Sequence, residues 1–438
     1  MPPKTRREKH SIEAANIRWE RNHVQSVNEY PEPHIITPQQ AVMGALVSGT
    51  TYTSFSRGLA VANIVCGTKD NFYKEQPKLL DCIINESQKT MSEAIEEELN
   101  NNPDGSIVSF DARYSSRRKA VQCSTSFIGE NGKVLHVEHA IENEPFRKGN
   151  YNGSSCNMES FTVVNGMQHL NEMLPISGYV HDGDNKSPSR LKDAGIELEE
   201  HKDITHALKS IGNGVTKASK KVKSITKKNM FYGLKTRLQF WARTIIQNVD
   251  DLDLRVHLWM NTPDHLVGNH EFCLHDELNF GNKTKFWVWK NGQTNQIAFQ
   301  ALCHFCELTL KYIIQINKNF GTQTNESVNS EMAHYAPKRV SLKSSYEGRI
   351  AFAIGMHNSP TFLYDVLVAN KLSELIHPDL LNELKRNDIK NYEKRKIRNA
   401  FEERNKRRIE RDLFRKKYSK KGDYHLSDNS DESSSSDE

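Results

Sequence analysis

The sequence predicts an α/β protein in which a mixed sheet carries a helical insertion and is preceded by an N-terminal helical unit. Three observations support this class. Alternating apolar segments fill residues 106–140, helical periodicity dominates before and after them, and a short apolar segment at 176–181 returns to the strand pattern. At 438 residues the chain is long enough for two or three domains.

The N-terminal part begins with a polar stretch that ends near residue 35 and then turns helical. Thr37 is suited to cap a helix that has Pro38 in its first turn, and Ala41, Met43, Ala45 and Leu46 begin an apolar face. A second helix is predicted around Phe55 and Leu59, and a long helix from Phe72 to Leu99. Short helices separated by turns that contain glycine fit a helix-turn-helix unit, and they fit an ordinary helical bundle equally well.

The next segment has strand periodicity. Residues 106–110 are predicted to form a buried strand that ends in Asp111. Residues 120–127 and 133–140 are predicted as a second and third strand, followed by a helix at 158–174. A fourth strand, Ile176 to His181, runs directly into Asp182, and a short fifth strand is predicted at 196–199. This order of strands and helices is expected of a ribonuclease H-like sheet.

Composition limits the classes of function. The net charge of +5 averages a basic body with the acidic, serine-rich residues 427–438, and a basic body favours nucleic acid as a partner. Seven cysteines without regular spacing indicate a reducing compartment. No apolar run approaches the roughly 18–20 residues of a membrane span, and the N-terminus does not have the pattern of a secretory signal. We therefore expect a soluble, intracellular protein.

Three acidic residues occur in an order that suits metal-dependent phosphodiester chemistry. Such chemistry is served by two divalent ions about 3.5–4 Å apart, and ions of the Mg²⁺ type prefer carboxylate oxygens. Asp111 and Asp182 are predicted at the ends of neighbouring strands, and Glu326 on a later helix packed over the sheet. Each acid alone is more often a cap or a turn residue. Their order on this architecture predicts a site for two Mg²⁺ or Mn²⁺ ions.

Several segments resemble the Mutator-like transposases, over about residues 41–375. The segments in question are Ser109-Phe-Asp-Ala-Arg113, Asn152-Gly-Ser-Ser-Cys-Asn-Met-Glu159, Val180-His-Asp-Gly-Asp-Asn-Lys186, Asp203-Ile-Thr-His206 and Asn325-Glu-Ser-Val-Asn329. The resemblance implies excision and integration of a DNA element with terminal inverted repeats. It assigns catalytic roles to Asp111, Asp182 and Glu326. Where the family often has glycine after its first Asp, this chain has Ala112.

Other residues are predicted to support or extend this site. Asp184 is an alternative to Asp182 as the second carboxylate. Asp203 and His206 share a helix face; they orient the site, contact DNA near the scissile phosphate, or form a buried polar pair that holds the helix to the sheet. Residues predicted to contact DNA phosphates are Arg113, Arg117, Arg118, Lys119, Lys220 and Lys221. The same basic clusters also occur as solvated faces or as nuclear targeting patches.

These inferences divide the chain into seven parts. They are a flexible basic arm (1–35), a helical DNA-binding unit (36–103), the first part of the core (104–216), a helical insertion (217–320), the catalytic helix with the end of the core (321–375), a basic helix (376–424) and an acidic disordered tail (425–438). The partners expected are double-stranded DNA, both element ends and target, and further copies of the chain in a homodimer or higher oligomer. The expected location is the nucleus.

Two alternatives stay open at this stage. Cys303-His-Phe-Cys306 has metal-ligand spacing, and with His270, Cys273 or His275 it would make a structural zinc site. Its amphipathic surroundings favour buried apolar cysteines instead. At the level of function, the alternatives to an active transposase are a domesticated DNA-binding protein that has lost catalysis and another ribonuclease H-like nuclease.

Overall fold

The computed structural model describes residues 34–116, 119–143, 148–182, 186–221, 225–267, 293–316, 321–340 and 342–399. The predicted acidic tail and residues 1–33 of the predicted arm lie outside these ranges. The chain divides into two compact units, residues 1–354 and residues 355–438. None of the described helices is both long and apolar enough to cross a lipid bilayer.

The N-terminal part of the first unit is helical. Its elements are β1 (His34–Ile35), α1 (Pro38–Val47), α2 (Tyr52–Val61), β2 (Ile64–Val65) and α3 (Lys69–Asn101). Thr37 caps α1 as predicted: its side chain accepts from the amide of Gln40, and the Gln40 side chain accepts from the amide of Thr37. The predicted apolar face of α1 is buried, whereas α2 has no fully buried residue. Helices α1 and α3 pack against each other.

The end of α3 is attached to the sheet through the carboxylate of Glu98, which is fully buried. This carboxylate accepts from the backbone amides of Glu130 (3.0 Å) and Asn131 (3.1 Å) in a hairpin turn, and from the side chain of Asn102 (3.0 Å). Because a buried carboxylate needs several donors to offset its lost hydration, the contact fixes α3 against that turn.

The central sheet has five strands in the order β5-β4-β3-β6-β7. They are β3 (Ser106–Tyr114), β4 (Gln122–Ile128), β5 (Val134–Ile141), β6 (Ile176–His181) and β7 (Glu199–Lys202). Strands β3, β4 and β5 are antiparallel neighbours, and β6 is parallel to both β3 and β7. Helices α4 (Met158–Met173) and α5 (Lys186–Asp193) separate β5 from β6 and β6 from β7. The predicted order of strands and helices is therefore present.

Two predicted strand positions were wrong. Strand β3 does not end at Asp111 but continues to Tyr114, because Ala112 to Tyr114 pair with Thr125 to Cys123 of β4. The fifth strand lies at Glu199–Lys202, three residues later than predicted, where it pairs with β6 from Gly178 to His181.

The two faces of the sheet are covered by different helices. On one face, Val108, Phe110 and Phe127 pack against Val163 and Met167 of α4. On the other face lie α12 (Gln323–Tyr335) and α13 (Tyr346–Asn358), where Val328, Met332 and Ile350 form a core with Ile128 and Val134. The helix that carries Glu326 is thus packed over the sheet, as predicted.

The segment between β7 and α12 is helical in the described residues. Its helices are α6 (Ile204–Lys221), α7 (Ile225–Asn248), α8 (Leu252–Met260), α9 (Thr262–Val267), α10 (Gln293–Thr309) and α11 (Lys311–Ile314). They share a core of their own around Trp259, whose indole donates to the carbonyl of Cys306 at 3.1 Å. In the described residues this segment has an apolar core of its own, although Phe240 and Leu308 are exposed.

The second unit contains α14 (Phe362–Ala369) and α15 (Pro378–Asn399), and the latter is the described part of the predicted basic helix. Arg395 of α15 donates to the carbonyl of Met356 at 2.8 Å. The Lys385 ammonium lies 4.1 Å from the ring centre of Tyr364, a distance typical of a cation–π contact.

Contact between α4 and the sheet should depend on the absence of a side chain at Gly166. A Cβ there would lie 2.2 Å from Cε2 of Phe127, which is fully buried. We expect Gly166→Ala to lower the free energy of unfolding by roughly 1–3 kcal/mol in urea denaturation.

The matched control is Gly58→Ala in α2, where an added Cβ meets nothing within 4 Å. It should be neutral or stabilising by up to about 1 kcal/mol, because alanine is the better helix former. Equal destabilisation by both substitutions would contradict the packing argument.

Candidate active site

Asp111 lies on the face of the sheet that α12 covers. Side chains alternate along β3, so Asp111 points away from Phe110, which packs on the α4 face. One carboxylate oxygen accepts from the amide of Ala112 (2.9 Å) and the other from the side chain of Asn329 on α12 (2.7 Å). Asp111 is half-buried and is fixed in place by both elements.

Asp182 directly follows β6, the parallel neighbour of β3, as predicted. It is half-buried. The end of β6 contacts the neighbouring strand β7, since Nε2 of the His181 imidazole lies 3.0 Å from Oε1 of Glu200. The alternative second carboxylate, Asp184, lies outside the described residues.

Glu326 is an exposed residue in the first turn of α12. The residue before it, Asn325, is fully buried, and its side-chain amide donates to the carbonyls of Ser109 (3.3 Å) and Ser126 (3.4 Å). Asn325 therefore joins the start of α12 to β3 and β4 at once. This contact places Glu326 over the sheet face that carries Asp111.

Asp182 and Glu326 both lie close enough to Asp111 for their charges to affect its carboxylate. Burial, the neighbouring charge of Asp182 and, more weakly, that of Glu326 together raise the pKa of Asp111 to about 6. The hydrogen bonds from Ala112 and Asn329 oppose this rise. The cluster is open, since the carboxylate oxygens of these three residues do not all lie within 4.8 Å of one another.

The sequence motif around Glu326 contained two functional positions that sequence reasoning missed. Asn325 and Asn329 are four residues apart, so they lie on one face of α12, and that face meets the sheet. Asn329 donates to Asp111, while its own side-chain carbonyl is buried without a hydrogen-bond partner. Two asparagines at helical spacing on either side of an acidic residue are the signal that could have identified them.

Arg113 does not have the role predicted for it. Its side chain is buried, and its guanidinium donates to the carbonyls of Asn329 (3.3 Å) and Ala336 (2.5 Å). It therefore holds the middle and the C-terminal end of α12 against β3 and is not available to a DNA phosphate. The basic charge next to Asp111 in sequence serves the packing of the helix.

Asp203 connects three elements near the site. Its amide donates to the carbonyl of His181 (3.0 Å), next to Asp182. Its buried carboxylate caps α6 by accepting from the amide of His206 (2.9 Å). It also accepts from the amide of Thr322 (3.0 Å), which lies just before α12. His206 is partly exposed, with Nδ1 at 3.3 Å from Asp203. Asp203 alone therefore links the end of β6 to the start of α12, and the pair that it forms with His206 is only partly buried.

Basic residues line a cavity of about 580 Å³ beside β3. Lys119, Lys186 and Lys338 contribute positive charge, and Ser116, Ser155 and Ser160 contribute hydroxyl groups. Of the other predicted DNA contacts, Lys220 is exposed on α6 and Lys221 ends that helix, while Arg117 and Arg118 lie outside the described residues. The cavity thus brings three lysines and three serines together with the carboxylate of Glu159.

A family model described as Mutator-like transposase matches residues 20–280. The chain belongs to the Mutator-like transposase family. The predicted family is thereby confirmed, and the match includes Asp111, Asp182, Asp203 and His206 but stops before Glu326. Among curated proteins, none matches the chain.

In this transposase-family chain, Cys306 is fully buried in the helical core around Trp259, and burial raises the pKa of its thiol. Cys303 is half-buried one turn earlier on α10. The residues that would complete a zinc site with them, His270, Cys273 and His275, lie outside the described residues.

The raised pKa of Asp111 predicts a stability change that depends on pH. The pKa in the folded protein, about 6, exceeds that of an ordinary aspartate. The stability that Asp111 contributes is therefore full at low pH and is lost as the pH rises through 6. In a chelating buffer, Asp111→Asn should raise the melting temperature at pH 8 by the equivalent of roughly 1–3 kcal/mol, and this gain should shrink towards pH 5.

Asparagine fits this position, because a flip of the Asn329 amide would turn its unpaired carbonyl towards the new donor. The control is Asp193→Asn on α5, an exposed carboxylate. A gain that is the same at both pH values, or that Asp193→Asn reproduces, would show that the origin is not the charge on Asp111.

Removal of the Asp203 carboxylate should loosen the start of α12 specifically. We expect Asp203→Ala to destabilise the protein by roughly 1–3 kcal/mol and to speed hydrogen exchange at the amides of His206 and Thr322. Asp251→Ala is the matched control, because Asp251 caps α8 through the amide of Leu254 (3.0 Å). It should cost up to about 1 kcal/mol and leave exchange at Thr322 unchanged. Unchanged exchange at Thr322 in Asp203→Ala would refute the link.

Proposed function

We propose that this protein is an active DDE transposase that cleaves phosphodiester bonds at terminal inverted repeats and transfers the freed strand ends to target DNA. The observation that carries the proposal is the convergence of Asp111, Asp182 and Glu326 on one sheet face in a chain of the Mutator-like family. The coupling of their charges, seen in the pKa of Asp111, supports a shared site.

The fold proposed for the core is ribonuclease H-like. Its support is the mixed five-stranded sheet in which an antiparallel set, β5-β4-β3, continues into the parallel strands β6 and β7. The functional parts proposed are the seven divisions of the chain derived from its sequence. The helical part with α1, α2 and α3 would then bind the element ends as a helix-turn-helix-like unit.

The donor set of the site fits hard divalent cations. Asp111, Asp182 and Glu326 offer only carboxylate oxygens, which Mg²⁺ and Mn²⁺ prefer. Two such ions, when bound, supply activation of the attacking oxygen and stabilisation of the leaving oxygen. The chain's own part is to hold the carboxylates in place: Asn329 orients Asp111, Asn325 positions the turn that carries Glu326, and Asp203 links that turn to the end of β6.

The path proposed for DNA runs through the cavity that contains Lys119, Lys186 and Lys338. Ammonium groups and hydroxyls suit contacts to the phosphate backbone that do not depend on sequence. Lys220, Lys221, Arg117, Arg118 and the basic helix α15 are proposed as further contacts. Binding of this kind weakens steeply with salt. Action on double-stranded DNA further implies a nuclear location and a dimer or higher oligomer that holds two element ends together.

The test is cleavage of labelled DNA that carries the sequence flanking the gene, with Mg²⁺ or Mn²⁺. We expect the wild type to cut at the repeat ends. The variants Asp111→Asn, Asp182→Asn and Glu326→Gln should each lose on the order of 100-fold or more in rate, since each removes a ligand that contributes several kcal/mol to the stabilised transition state.

Asp193→Asn is the matched control and should cut at the wild-type rate, because that carboxylate is exposed on α5. Binding without cleavage by the wild type would favour a domesticated, catalytically silent DNA-binding protein. Cleavage of RNA or branched DNA, with no preference for repeat ends, would favour another kind of nuclease. Activity that survives all three substitutions would disprove the assigned site.

A further inference from the structure

A second group of metal-ligating side chains lies on the opposite face of the sheet from Asp111. It consists of His136 and Glu138 on the edge strand β5 and His169 on α4. The ring of His136 lies 5.8 Å from that of Phe127, which packs on the α4 face. The two groups are therefore separated by the sheet itself.

The ligand atoms are already close together. Nε2 of His136 lies 3.1 Å from Oε2 of Glu138, and Nδ1 of His169 lies 4.0 Å from the same oxygen. The two imidazole rings are 5.2 Å apart. One ligand atom from each of the three residues can be chosen so that all lie within 4.8 Å of one another. Within the described ranges, this is the one group of three such residues that meets this distance.

These separations are near those that a transition metal requires. Zinc binds imidazole nitrogen and carboxylate oxygen at about 2.0–2.2 Å, which places neighbouring ligand atoms of a tetrahedral site roughly 3.3–3.5 Å apart. His136 and Glu138 are two residues apart on one strand, so their side chains share a face and need little movement. The side chain of His169 is 61% exposed and can rotate towards them.

The donor set separates this group from the candidate active site. Two imidazoles and one carboxylate suit Zn²⁺ and its neighbours among the transition metals, whereas three carboxylates suit Mg²⁺ or Mn²⁺. The supports of the ligands are rigid: β5 pairs along its length with β4, and α4 is joined to β4 through Thr162 and Thr125, whose hydroxyls are 2.6 Å apart. A three-ligand site of this kind leaves a coordination position open to solvent beside His169.

We propose that His136, Glu138 and His169 bind a divalent transition metal ion, with Zn²⁺ as the best fit, and that the ion joins the edge strand β5 to α4. The same helix begins at the serine-containing loop of the lysine cavity, where Ser155, Glu159 and Ser160 form part of the wall. Binding of the ion therefore stabilises the helix that supports this wall. The site does not depend on the catalytic proposal, because its ligands and its sheet face are different.

The experiment uses Co²⁺ as a spectroscopic probe for Zn²⁺, added to the full-length protein in excess Mg²⁺. We expect visible d–d bands of a nitrogen and oxygen site at one ion per chain, displaced by Zn²⁺ and unchanged in Asp111→Asn. His136→Gln and His169→Gln should lose these bands and bind at least 10-fold more weakly. They should also lose the rise in melting temperature that Zn²⁺ produces in the wild type.

His377→Gln is the matched control, because His377 is also an exposed histidine beside a carboxylate, that of Asp379. It should bind Co²⁺ as the wild type does, and circular dichroism should show that all variants are folded. An intense near-ultraviolet charge-transfer band would indicate thiolate ligands and assign the bound ion to cysteines instead. That result, binding unaffected by His136→Gln and His169→Gln, or no binding to the wild type would each overturn the proposal.

Discussion

Keeping several carboxylates close together where Asp111 is partly removed from water is the constraint around which this part of the molecule is organised. Asp111, Asp182 and Glu326 come from two strands and a distant helix, and burial of Asp111, together with the charges of the other two, raises its pKa. A buried or half-buried cluster of like charges persists only where other contacts hold its supports. In this protein those contacts are polar and join α12 to β3: Asn325 to the strand carbonyls, Asn329 to Asp111, and Arg113 to the helix backbone.

The sheet separates two kinds of environment. Its α4 face is mainly an apolar core around Phe110 and Phe127, with the histidine and glutamate group at the edge. Its α12 face carries the carboxylates and the buried amides that position them. Alternation of side chains along β3 assigns Phe110 to the first environment and Asp111 to the second. Two successive residues of β3 therefore have different roles: Phe110 contributes to the core of the fold, and Asp111 contributes to the candidate site.

Much of the fold could be predicted from the sequence because its signals are local. Strand β6 has the predicted bounds, and the capping box at Thr37 begins α1 as expected. The extension of β3 past Asp111 was not predictable in this way, since a charged residue inside a strand is stable only through partners distant in sequence. Asn329, more than 200 positions later, is such a partner.

The site was predicted in part for the same reason. The order of Asp111, Asp182 and Glu326 along the chain indicated which acids converge, but charge alone did not distinguish a residue that contacts ligand from one that packs. Arg113 was interpreted as a DNA contact, although its guanidinium donates hydrogen bonds to the carbonyls of Asn329 and Ala336. The roles of Asn325 and Asn329 depend on which helix face meets the sheet, and that is a property of the tertiary structure.

The attachment of the helical segment between β7 and α12 has a consequence for how this architecture can vary. The backbone amide of Lys202 donates to the carbonyl of Gln315 at 2.7 Å, and Asp203 binds the amide of Thr322, so the segment leaves and re-enters the core at nearly the same place. Its described helices form an apolar core of their own. The two ends of this segment are held together by the contacts of Lys202 and Asp203. A change in the length of the segment can leave these contacts, and with them the positions of the carboxylates, unaltered. Differences in length among such proteins are therefore expected to concentrate in this segment.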